Sequence, residues 1–299
     1  MKLAIFGRYT NNTDLKVLRS FFQFLTDSSI PYTLFQPYVK DLILKMEDPE
    51  ELLGVAPFNS LEEILDCTYM YCFGGDGTVL EAVRLVQDSG IPIFGVNFGR
   101  LGYLTSITQH DLIPATKKIL EKLYYFDCRN LLTVVSDPPG IFSPNNTGIN
   151  DLTIHKSKSN EMITINAYIN GEFLNTYRGD GLIVATPTGS TAYSLSCGGP
   201  IIFPNSSTLV LTPVAPHSLT VRPVVIPDNW VISLQIESRS GEAMISLDTR
   251  TELVKTFTSL AIRCSDFHVK FLKVYSNKHI DNLRKSLMWG SDNRNWKQG

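Results

Sequence analysis

The sequence predicts an α/β N-terminal domain with a mostly parallel sheet, followed by a mainly-β C-terminal domain. The chain has 299 residues, more than the roughly 100 to 150 that are usual for one domain. In the first third, short apolar runs alternate with apolar residues at helical spacing, whereas from about residue 128 the apolar period becomes two. We therefore expect domains at 1–126 and 127–276, and a helical tail at 277–299 that packs on the body.

The N-terminal elements follow in a regular order. Apolar runs at 2–6 and 32–35 flank residues 14–25, which carry apolar side chains at helical spacing, so this stretch predicts a βαβ unit. Ser60-Leu61-Glu62-Glu63 matches a capping box and predicts a short helix. Further buried strands are predicted at 69–73 and 91–96, with a helix between them that ends near Gly90.

The C-terminal elements are predicted to be strands. Residues 163–169 alternate between apolar and polar, and Asn170-Gly171 then supplies the signature of a tight hairpin before 172–177. The Pro- and Gly-rich stretch 136–148 predicts a loop, and 280–289 predicts a short amphipathic helix. The remaining predicted strands are 182–185, 209–212, 221–226, 230–236, 243–247 and 267–274.

Composition excludes several classes of protein. A net charge of −2, from 27 basic and 29 acidic residues, argues against nucleic acid as a partner. No apolar run approaches the ~20 residues of a membrane-spanning helix, and Gly7-Arg8 interrupts the apolar start before it reaches signal-peptide length. We therefore expect a cytoplasmic protein with no membrane partner. The five cysteines form no C-x-x-C pair, which argues against a zinc site or a disulfide framework.

The turn Gly74-Gly75-Asp76-Gly77-Thr78 predicts a phosphate site. Glycines let the backbone approach a ligand closely, and the start of the following helix offers free N–H groups and the positive end of a dipole. A carboxylate beside phosphates is repulsive unless it accepts a proton from the attacking hydroxyl or binds a metal ion, so Asp76 is a candidate for either role. The alternative is a structural turn in which Asp76 caps the helix.

A second segment is unusually rich in hydroxyl groups. Arg178-Gly179-Asp180-Gly181 precedes residues 186–196, which contain Thr, Ser and Tyr at most positions, and Gly198-Gly199-Pro200 follows. Hydroxyl groups both donate and accept, which suits a ligand that presents ribose hydroxyls, an amide and diphosphate oxygens. A solvated Ser/Thr-rich loop is the alternative, and composition alone favours it.

Together these segments resemble the NAD kinase (ATP-NAD kinase) family of the bacterial type. The resemblance rests on the glycine turn, Asn150-Asp151 before a strand, Asp180-Gly181 and the Thr-Gly-Ser-Thr-Ala-Tyr run at 188–193, in that order; the segment 97–104 is also similar. The glycine turn alone also resembles that of the diacylglycerol kinases, the sphingosine kinases and the 6-phosphofructokinases, so by itself it indicates a kinase and not which kinase. The resemblance implies transfer of the γ-phosphoryl of ATP to the 2′-hydroxyl of the adenosine ribose of NAD, which makes NADP.

The resemblance also implies a role for each matching residue. Asp76 would be the catalytic base or orienting group and would contact NAD together with Gly77. The phosphates of ATP would lie on the glycine turn, at Gly74, Gly75, Gly77 and Thr78. The other implied NAD contacts are Asn150, Asp151, Arg178, Asp180, Thr191, Ala192, Tyr193, Ser194, Leu195, Ser196 and Arg250. Mg²⁺ is implied as a cofactor, ATP and NAD as substrates, and a homo-oligomer, a dimer or a tetramer, as the assembly.

Two departures and two rival functions stay open. Asp151 is shorter than the glutamate common in the family, and Arg250 stands where relatives often carry an amide side chain. A lipid kinase of the diacylglycerol type would use the same glycine turn but needs a membrane-facing surface. A non-catalytic NAD or NADP sensor would bind the dinucleotide without turnover, so an assay with ATP and NAD separates these possibilities.

Overall fold

The computed structural model describes residues 1–8, 11, 14–46, 52, 54–99, 102–275, 280, 283, 284 and 287. The chain forms two compact units, the first from Met1–Asp127 with Lys270–Gly299 and the second from Cys128–Val269. The strand β18 (Ser259–Lys273) contributes to both. Most of the predicted tail at 277–299 lies outside the described residues; within its described part, the N–H of Leu287 donates to the carbonyl of Leu283 at 3.0 Å.

The first unit contains a parallel sheet. Its strands are β1 (Leu3–Gly7), β2 (Tyr32–Phe35), β3 (Pro57–Phe58), β4 (Tyr69–Phe73), β5 (Ile93–Asn97) and β6 (Ile107–Thr108). They pair in parallel in the order β3-β2-β1-β4-β5-β6, and Phe271 of β18 pairs in parallel with Ile93. All residues of β1, β4 and β5 are buried, which explains their continuous apolar sequences.

Helices accompany this sheet. They are α1 (Leu15–Asp27), α2 (Gln36–Lys45), α3 (Asp76–Val86) and α4 (Leu112–Leu120), with short 3₁₀ helices at Glu62–Ile64 and Gln109–Asp111. In α1, Leu18, Phe21, Phe22 and Leu25 form the buried face, and burial contributes about 1.5–3 kcal/mol for each such side chain.

The end of α3 differs from the prediction. The helix stops at Val86, where Gln87 adopts a φ of +46° and turns the chain, and Gly90, with a φ of +75°, lies beyond this turn. Gly90 was predicted to end the helix because glycine tolerates a positive φ better than other residues. In the structure the first residue with a positive φ after the helix is Gln87.

The second unit consists mainly of antiparallel strands. Its strands before β18 are β7 (Tyr125–Asp137, which begins in the first unit), β8 (Thr147–Gly148), β9 (Asp151–Lys156), β10 (Ile163–Ile169), β11 (Glu172–Gly179), β12 (Gly181–Ala185), β13 (Thr208–Val214), β14 (Val224–Pro227), β15 (Ile232–Ser238), β16 (Glu242–Leu247) and β17 (Arg250–Lys255). One sheet has the order β14-β13-β12-β9-β16-β17, and β11-β10-β15-β18 form another. Alternate residues of both sheets enter one hydrophobic core.

Together the two units confirm the predicted fold class, an α/β part with a parallel sheet and a mainly-β part. The predicted hairpin at Asn170-Gly171 is confirmed, with φ of +49° and +85° at its two residues. The predicted loop at 136–148 is shorter than expected, because β7 ends at Asp137 and β8 occupies Thr147–Gly148. In the described part of the chain, no helix combines the length and the apolar character that crossing a bilayer requires.

Both faces of β12 are buried, which fixes the start of the hydroxyl-rich segment. Leu182 and Val184 enter the main core of the second unit, whereas Ile183 and Ala185 pack in a separate cluster with Cys197 and residues of β13. A 3₁₀ helix at Gly189–Thr191 and the short helix α5 (Tyr193–Ser196) follow β12. The hydroxyl-rich segment is thus folded against the sheet rather than extended into solvent.

Candidate functional site

The glycine turn connects the buried strand β4 to helix α3. Gly74 has a φ of +154°, and a Cβ at this position would lie 2.3 Å from Thr78 Oγ1, so only glycine fits without strain. The N–H of Gly74 donates to the carbonyl of Val96 at 3.0 Å, and the first helical turn closes on the carbonyl of Gly75. Apart from its own chain neighbours and helix backbone, no atom of the described residues lies within 4 Å of a Cβ built on Gly75 or Gly77. With respect to the described part of the chain, the turn therefore has a fixed entry and open space at these two glycines.

Both carboxylate oxygens of Asp76 accept hydrogen bonds from the main chain of a second loop. The N–H of Tyr103 donates to Oδ2 at 2.8 Å, and the N–H of Leu104 donates to Oδ1 at 3.0 Å. An ionised carboxylate has about four lone-pair sites, so each oxygen keeps acceptor capacity. The side chain is thus held in one orientation and can still accept a proton or a further hydrogen bond.

The loop that holds Asp76 is itself fixed to the end of β5. Asn97 is buried, and its Nδ2 donates to Thr105 Oγ1 at 3.2 Å, while its Oδ1 accepts from the N–H of Gly99 at 2.6 Å. The N–H of Gly102 also donates to Thr105 Oγ1, at 3.2 Å. Residues 100 and 101 of this segment lie outside the described residues. The sequence did not indicate that this loop orients Asp76, because the contacts are made by peptide N–H groups.

In the second unit, most hydroxyl groups after β12 have partners within the protein. The hydroxyl of Thr186 donates to the carbonyl of Ile149 at 2.5 Å, and that of Ser190 donates to the carbonyl of Pro187 at 2.7 Å. Thr188 accepts from Nη1 of the buried Arg129 at 3.1 Å. These hydroxyls therefore stabilise the segment, a role that composition alone did not reveal.

The predicted NAD contacts on α5 differ in exposure. Ser194 is fully buried, and its hydroxyl lies 2.8 Å from that of Thr212. By contrast, Tyr193 is 42% exposed, and Ser196 is also exposed. Thr191, Ala192 and Leu195 are half-buried. A ligand can therefore reach the aromatic ring of Tyr193 more readily than the hydroxyl of Ser194, and a NAD contact by each of them stays a prediction.

Asn150 and Asp151 lie beside the hydroxyl-rich segment. The carbonyl of Asn150 accepts from the N–H of Thr186 at 2.9 Å, and a Cβ on Gly189 would lie 2.1 Å from the same carbonyl oxygen. Only a glycine allows this approach. Burial raises the pKa of Tyr193 and that of Cys197, and the negative charge of Asp151 adds to both effects. The structure thus places Asn150 directly against the hydroxyl-rich segment, and Asp151 acts electrostatically on Tyr193 and Cys197.

Asp151 has an unusual protonation equilibrium. It is 8% exposed, and burial together with the charge of Asp248 raises its pKa to about 7, although the hydroxyl of Thr153, which donates to Asp151 Oδ1 at 3.1 Å, acts in the opposite direction. Burial also raises the pKa of Asp248, against the effect of three backbone N–H groups and Arg250. No pattern in the sequence pointed to a role for Asp248.

Arg178 and Asp180 line a groove of about 930 Å³ in the second unit. Arg178 is exposed, and Asp180 Oδ1 lies 2.6 Å from Lys156 Nζ. Gly179 between them is buried, and a Cβ there would lie 2.7 Å from the carbonyl oxygen of Ala215. Both predicted residues therefore face a space large enough for part of a dinucleotide, in which positive and negative side chains are interspersed.

Arg250 belongs to the hairpin between β16 and β17. Its guanidinium donates to the carbonyls of Asn145 and Thr147 and lies 5.3 Å from the ring centroid of Phe142. These contacts fix the segment before Asn150. The predicted NAD contact of Arg250 stays a prediction, and its side chain has a structural role in addition.

Comparison with known proteins gives a consistent result. The family profile described as ATP-NAD kinase N-terminal domain matches residues 3–125, and the one described as ATP-NAD kinase C-terminal domain matches residues 149–274. An NAD kinase of Flavobacterium psychrophilum is 37% identical over 296 residues, which are 99% of this chain and 100% of that protein. An NAD kinase of Bacteroides fragilis is 44% identical over 233 residues, 78% of this chain and 80% of that protein.

Solved structures show the same fold. Yeast NADH kinase complexed with NADH has a TM-score of 0.85 and 21% identity, covering 98% of this chain and 89% of that one. An NAD kinase from Archaeoglobus fulgidus in complex with ATP has a TM-score of 0.75 and 23% identity, covering 96% of this chain and 99% of that one. At these identities the likeness supports the fold alone.

Proposed function

Because this chain belongs to the ATP-NAD kinase family, we propose that it transfers the γ-phosphoryl of ATP to the 2′-hydroxyl of the adenosine ribose of NAD and so makes NADP. The observation that carries this proposal within the molecule is the glycine turn, where the carboxylate of Asp76 is oriented by the N–H groups of Tyr103 and Leu104. A fixed carboxylate next to a helix N-terminus combines a proton acceptor with a place for phosphate.

In the proposed reaction, Asp76 is the catalytic base or orienting group. The 2′-oxygen attacks the γ-phosphorus, the bond to the oxygen that bridges the β- and γ-phosphates breaks, and ADP leaves with that electron pair. The hydroxyl proton passes to a carboxylate oxygen of Asp76, and Gly77 lies beside it as a proposed NAD contact. Gly74, Gly75, Gly77 and Thr78 of the turn are proposed to hold the ATP phosphates. The N–H of Gly74 already donates to the carbonyl of Val96, so other groups of the turn, such as the Thr78 hydroxyl, would make the hydrogen bonds to phosphate.

The remaining proposed NAD contacts belong to the second unit. They are Asn150, Asp151, Arg178, Asp180, Arg250 and the segment from Thr191 to Ser196. Three features support the proposal: the short distance between Asn150 and the hydroxyl-rich segment, the exposure of Tyr193, which can stack on a base, and the groove at Arg178 and Asp180. Binding in this manner positions the reactive hydroxyl, which is the principal contribution of a protein to phosphoryl transfer.

Mg²⁺ is proposed as the metal that accompanies ATP. Among the residues that the structure describes, no group of three His, Cys, Asp or Glu side chains is arranged to hold a metal ion. Mg²⁺ keeps several waters and binds mainly through substrate phosphates, so this chain is compatible with an ion that arrives with the nucleotide. When bound, the ion neutralises charge on the phosphates.

The proposed setting is the cytoplasm, and the proposed assembly is a homo-oligomer, a dimer or a tetramer. The proposed homo-oligomer rests on family membership. A net charge of −2 supports the proposal that nucleic acid is not a partner.

An assay for NADP tests the proposed function. The purified protein is incubated with NAD, ATP and Mg²⁺, and NADP is detected with an NADP-specific dehydrogenase. We expect NADP to accumulate in step with ADP. NAD binding without NADP formation would indicate a sensor instead, and phosphorylation of diacylglycerol in place of NAD would indicate a lipid kinase.

A further inference from the structure

Asp248 occupies the tip of the hairpin between β16 and β17. Leu247 pairs with Arg250, so Asp248 and Thr249 form a two-residue turn, and Asp248 has a φ of +52°. Asp, Asn and Gly tolerate this backbone conformation better than other residues. The turn therefore explains the residue type, but not the direction of the side chain.

The carboxylate of Asp248 accepts hydrogen bonds from three successive backbone N–H groups. Oδ2 accepts from Ile149 at 2.9 Å, and Oδ1 accepts from Asn150 at 2.8 Å and Asp151 at 3.2 Å. In the other direction, the N–H of Asp248 donates to the carbonyl of Asp151 at 3.0 Å. Hydrogen bonds to a charged acceptor are stronger than those between neutral groups, so this carboxylate restrains the backbone of the pair.

The same hairpin also holds the residues that precede the pair. Arg250 donates to the carbonyls of Asn145 and Thr147, and a Cβ on Gly148 would lie 2.6 Å from Leu247 Cδ1. One hairpin thus binds backbone carbonyls through the guanidinium of Arg250 and backbone N–H groups through the carboxylate of Asp248. The two contacts together fix the segment 145–151.

We propose that Asp248 is a positioning residue that fixes Asn150 and Asp151 for NAD, and that its negative charge makes NAD affinity depend on pH. This inference rests on the proposed function, because it concerns the same dinucleotide site. Asp248 acts through the backbone of the pair and by its electric field.

The groups around Asp151 set the direction of the pH effect. Asp248 from the hairpin raises the pKa of Asp151 in addition to burial, and the Thr153 hydroxyl on the same strand lowers it. Tyr193 and Cys197 of the α5 region also interact electrostatically with Asp151, and their raised pKa values keep both neutral near pH 7. An ionised Asp151 accepts hydrogen bonds from ribose hydroxyls, whereas a protonated one loses part of this capacity. NAD affinity should therefore fall as the pH falls through about 7.

The test compares the dissociation constant of NAD for the wild type and for Asp248→Asn. It is measured by calorimetric titration without ATP, between about pH 5.5 and 8.5, a range that spans the pKa of Asp151. Asparagine tolerates the turn conformation but removes the charge and places an NH₂ group against one N–H donor. We expect the Kd of NAD at high pH to rise about tenfold, because a hydrogen bond that positions the pair is lost. A tenfold rise in Kd corresponds to about 1.4 kcal/mol. The midpoint of the pH dependence should move to lower pH, because the charge that raises the pKa of Asp151 is gone.

Two further variants complete the design. Asp266→Asn is the matched control, since its exposed carboxylate pairs with Arg263 and its substitution changes the net charge equally; it should bind NAD as the wild type does. Asp248→Gly fits a φ of +52° without strain and is the second test variant. It should weaken NAD binding at least as much as Asp248→Asn.

The outcomes separate this inference from the proposed function. An unchanged midpoint in Asp248→Asn would overturn the inference even if Kd rises, because a purely structural role weakens binding at every pH. Loss of folding in both Asp248 variants would also overturn it, since Asp248 would then be a folding residue. Failure of the wild type to form NADP would refute the proposed function instead, and the Kd comparison would still decide the role of Asp248.

Discussion

Gly102 and Asp76 are so close that a Cβ on Gly102 would lie 2.1 Å from Asp76 Oδ1. The same loop supplies the N–H groups of Tyr103 and Leu104 that hold the carboxylate. The absence of a side chain at residue 102 is therefore a condition for the observed position of Asp76.

Replacing Gly102 by alanine should displace Asp76 or its loop. We expect kcat to fall at least tenfold, because small misplacements of a catalytic group are costly, with a smaller change in the Kd of NAD. Steady-state kinetics with NAD and ATP measure this. Gly99→Ala is the matched control, since among the described residues, apart from its chain neighbours, the nearest atom to its Cβ would be Asn97 Oδ1 at 3.9 Å. Equal kinetics for the two variants would contradict the argument.

Replacing Asp76 by asparagine removes the proposed base and keeps the shape of the side chain. Turnover should fall by ~10² to 10⁴ if the carboxylate accepts the proton, while NAD binding stays close to that of the wild type. Asp88→Asn, an exposed position in the same unit, controls for the change in net charge. Near-normal turnover of Asp76→Asn would remove Asp76 from the chemistry.

Ser194→Ala should destabilise the second unit. It leaves the buried hydroxyl of Thr212 without its partner at 2.8 Å, and such a loss costs about 1–3 kcal/mol. Urea unfolding followed by circular dichroism gives the change in the free energy of unfolding. Ser196→Ala on the same helix is exposed and should leave this free energy unchanged; a similar loss in both variants would refute the assignment.

The stability of the protein should depend on pH through Asp151. Because the pKa of Asp151 is raised from 3.8 to about 7 in the folded state, the folded state binds the proton more tightly than the unfolded one. The stabilisation that protonated Asp151 gives the folded state is fully present below about pH 4 and is lost as the pH rises through about 7. Asp151→Asn does not titrate, so its free energy of unfolding relative to the wild type should rise on going from pH 5 to pH 8, by on the order of 1 to 3 kcal/mol. Urea unfolding at both pH values measures this, and a constant difference would contradict the raised pKa.

Removal of divalent metal should stop turnover and leave the fold intact. We expect EDTA to abolish NADP formation and Mg²⁺ to restore it, because the metal is proposed to bind with ATP. The melting temperature without nucleotide should not change, since the described residues contain no cluster of metal-binding side chains. A large fall in that temperature on chelation would instead reveal a structural metal site.

The elements that the sequence predicted well are those whose signals are local. The strand that precedes the glycine turn, the turn itself and the Asn170-Gly171 hairpin are all encoded within a few neighbouring residues. Helix α2 was not predicted, because it begins directly after β2 with no intervening turn. The strand β17 was also missed, since most of its residues are exposed and lack the alternation of a half-buried strand.

The parts of the site that could not be predicted depend on contacts between residues that are far apart in sequence. Asp248 lies 97 residues from Asp151, whose N–H it binds. Tyr103 and Leu104 act through backbone N–H groups, which every residue except proline possesses, so these contacts leave no signal in the residue types. Conversely, the abundance of hydroxyls suggested ligand contacts, whereas Thr186, Ser190 and Ser194 use their hydroxyls within the fold.

The use of peptide groups to orient Asp76 has a consequence for sequence drift. Substitution at position 103 leaves its N–H donor in place, so this position can change side chain over time without moving the carboxylate. Leu104 is 3% exposed, so its side chain is restricted to apolar residues by packing. Proline is excluded at both positions, because it lacks the N–H. A library that randomises codon 103 should therefore recover active clones with diverse residues and few prolines, while the same library at codon 102 should return glycine.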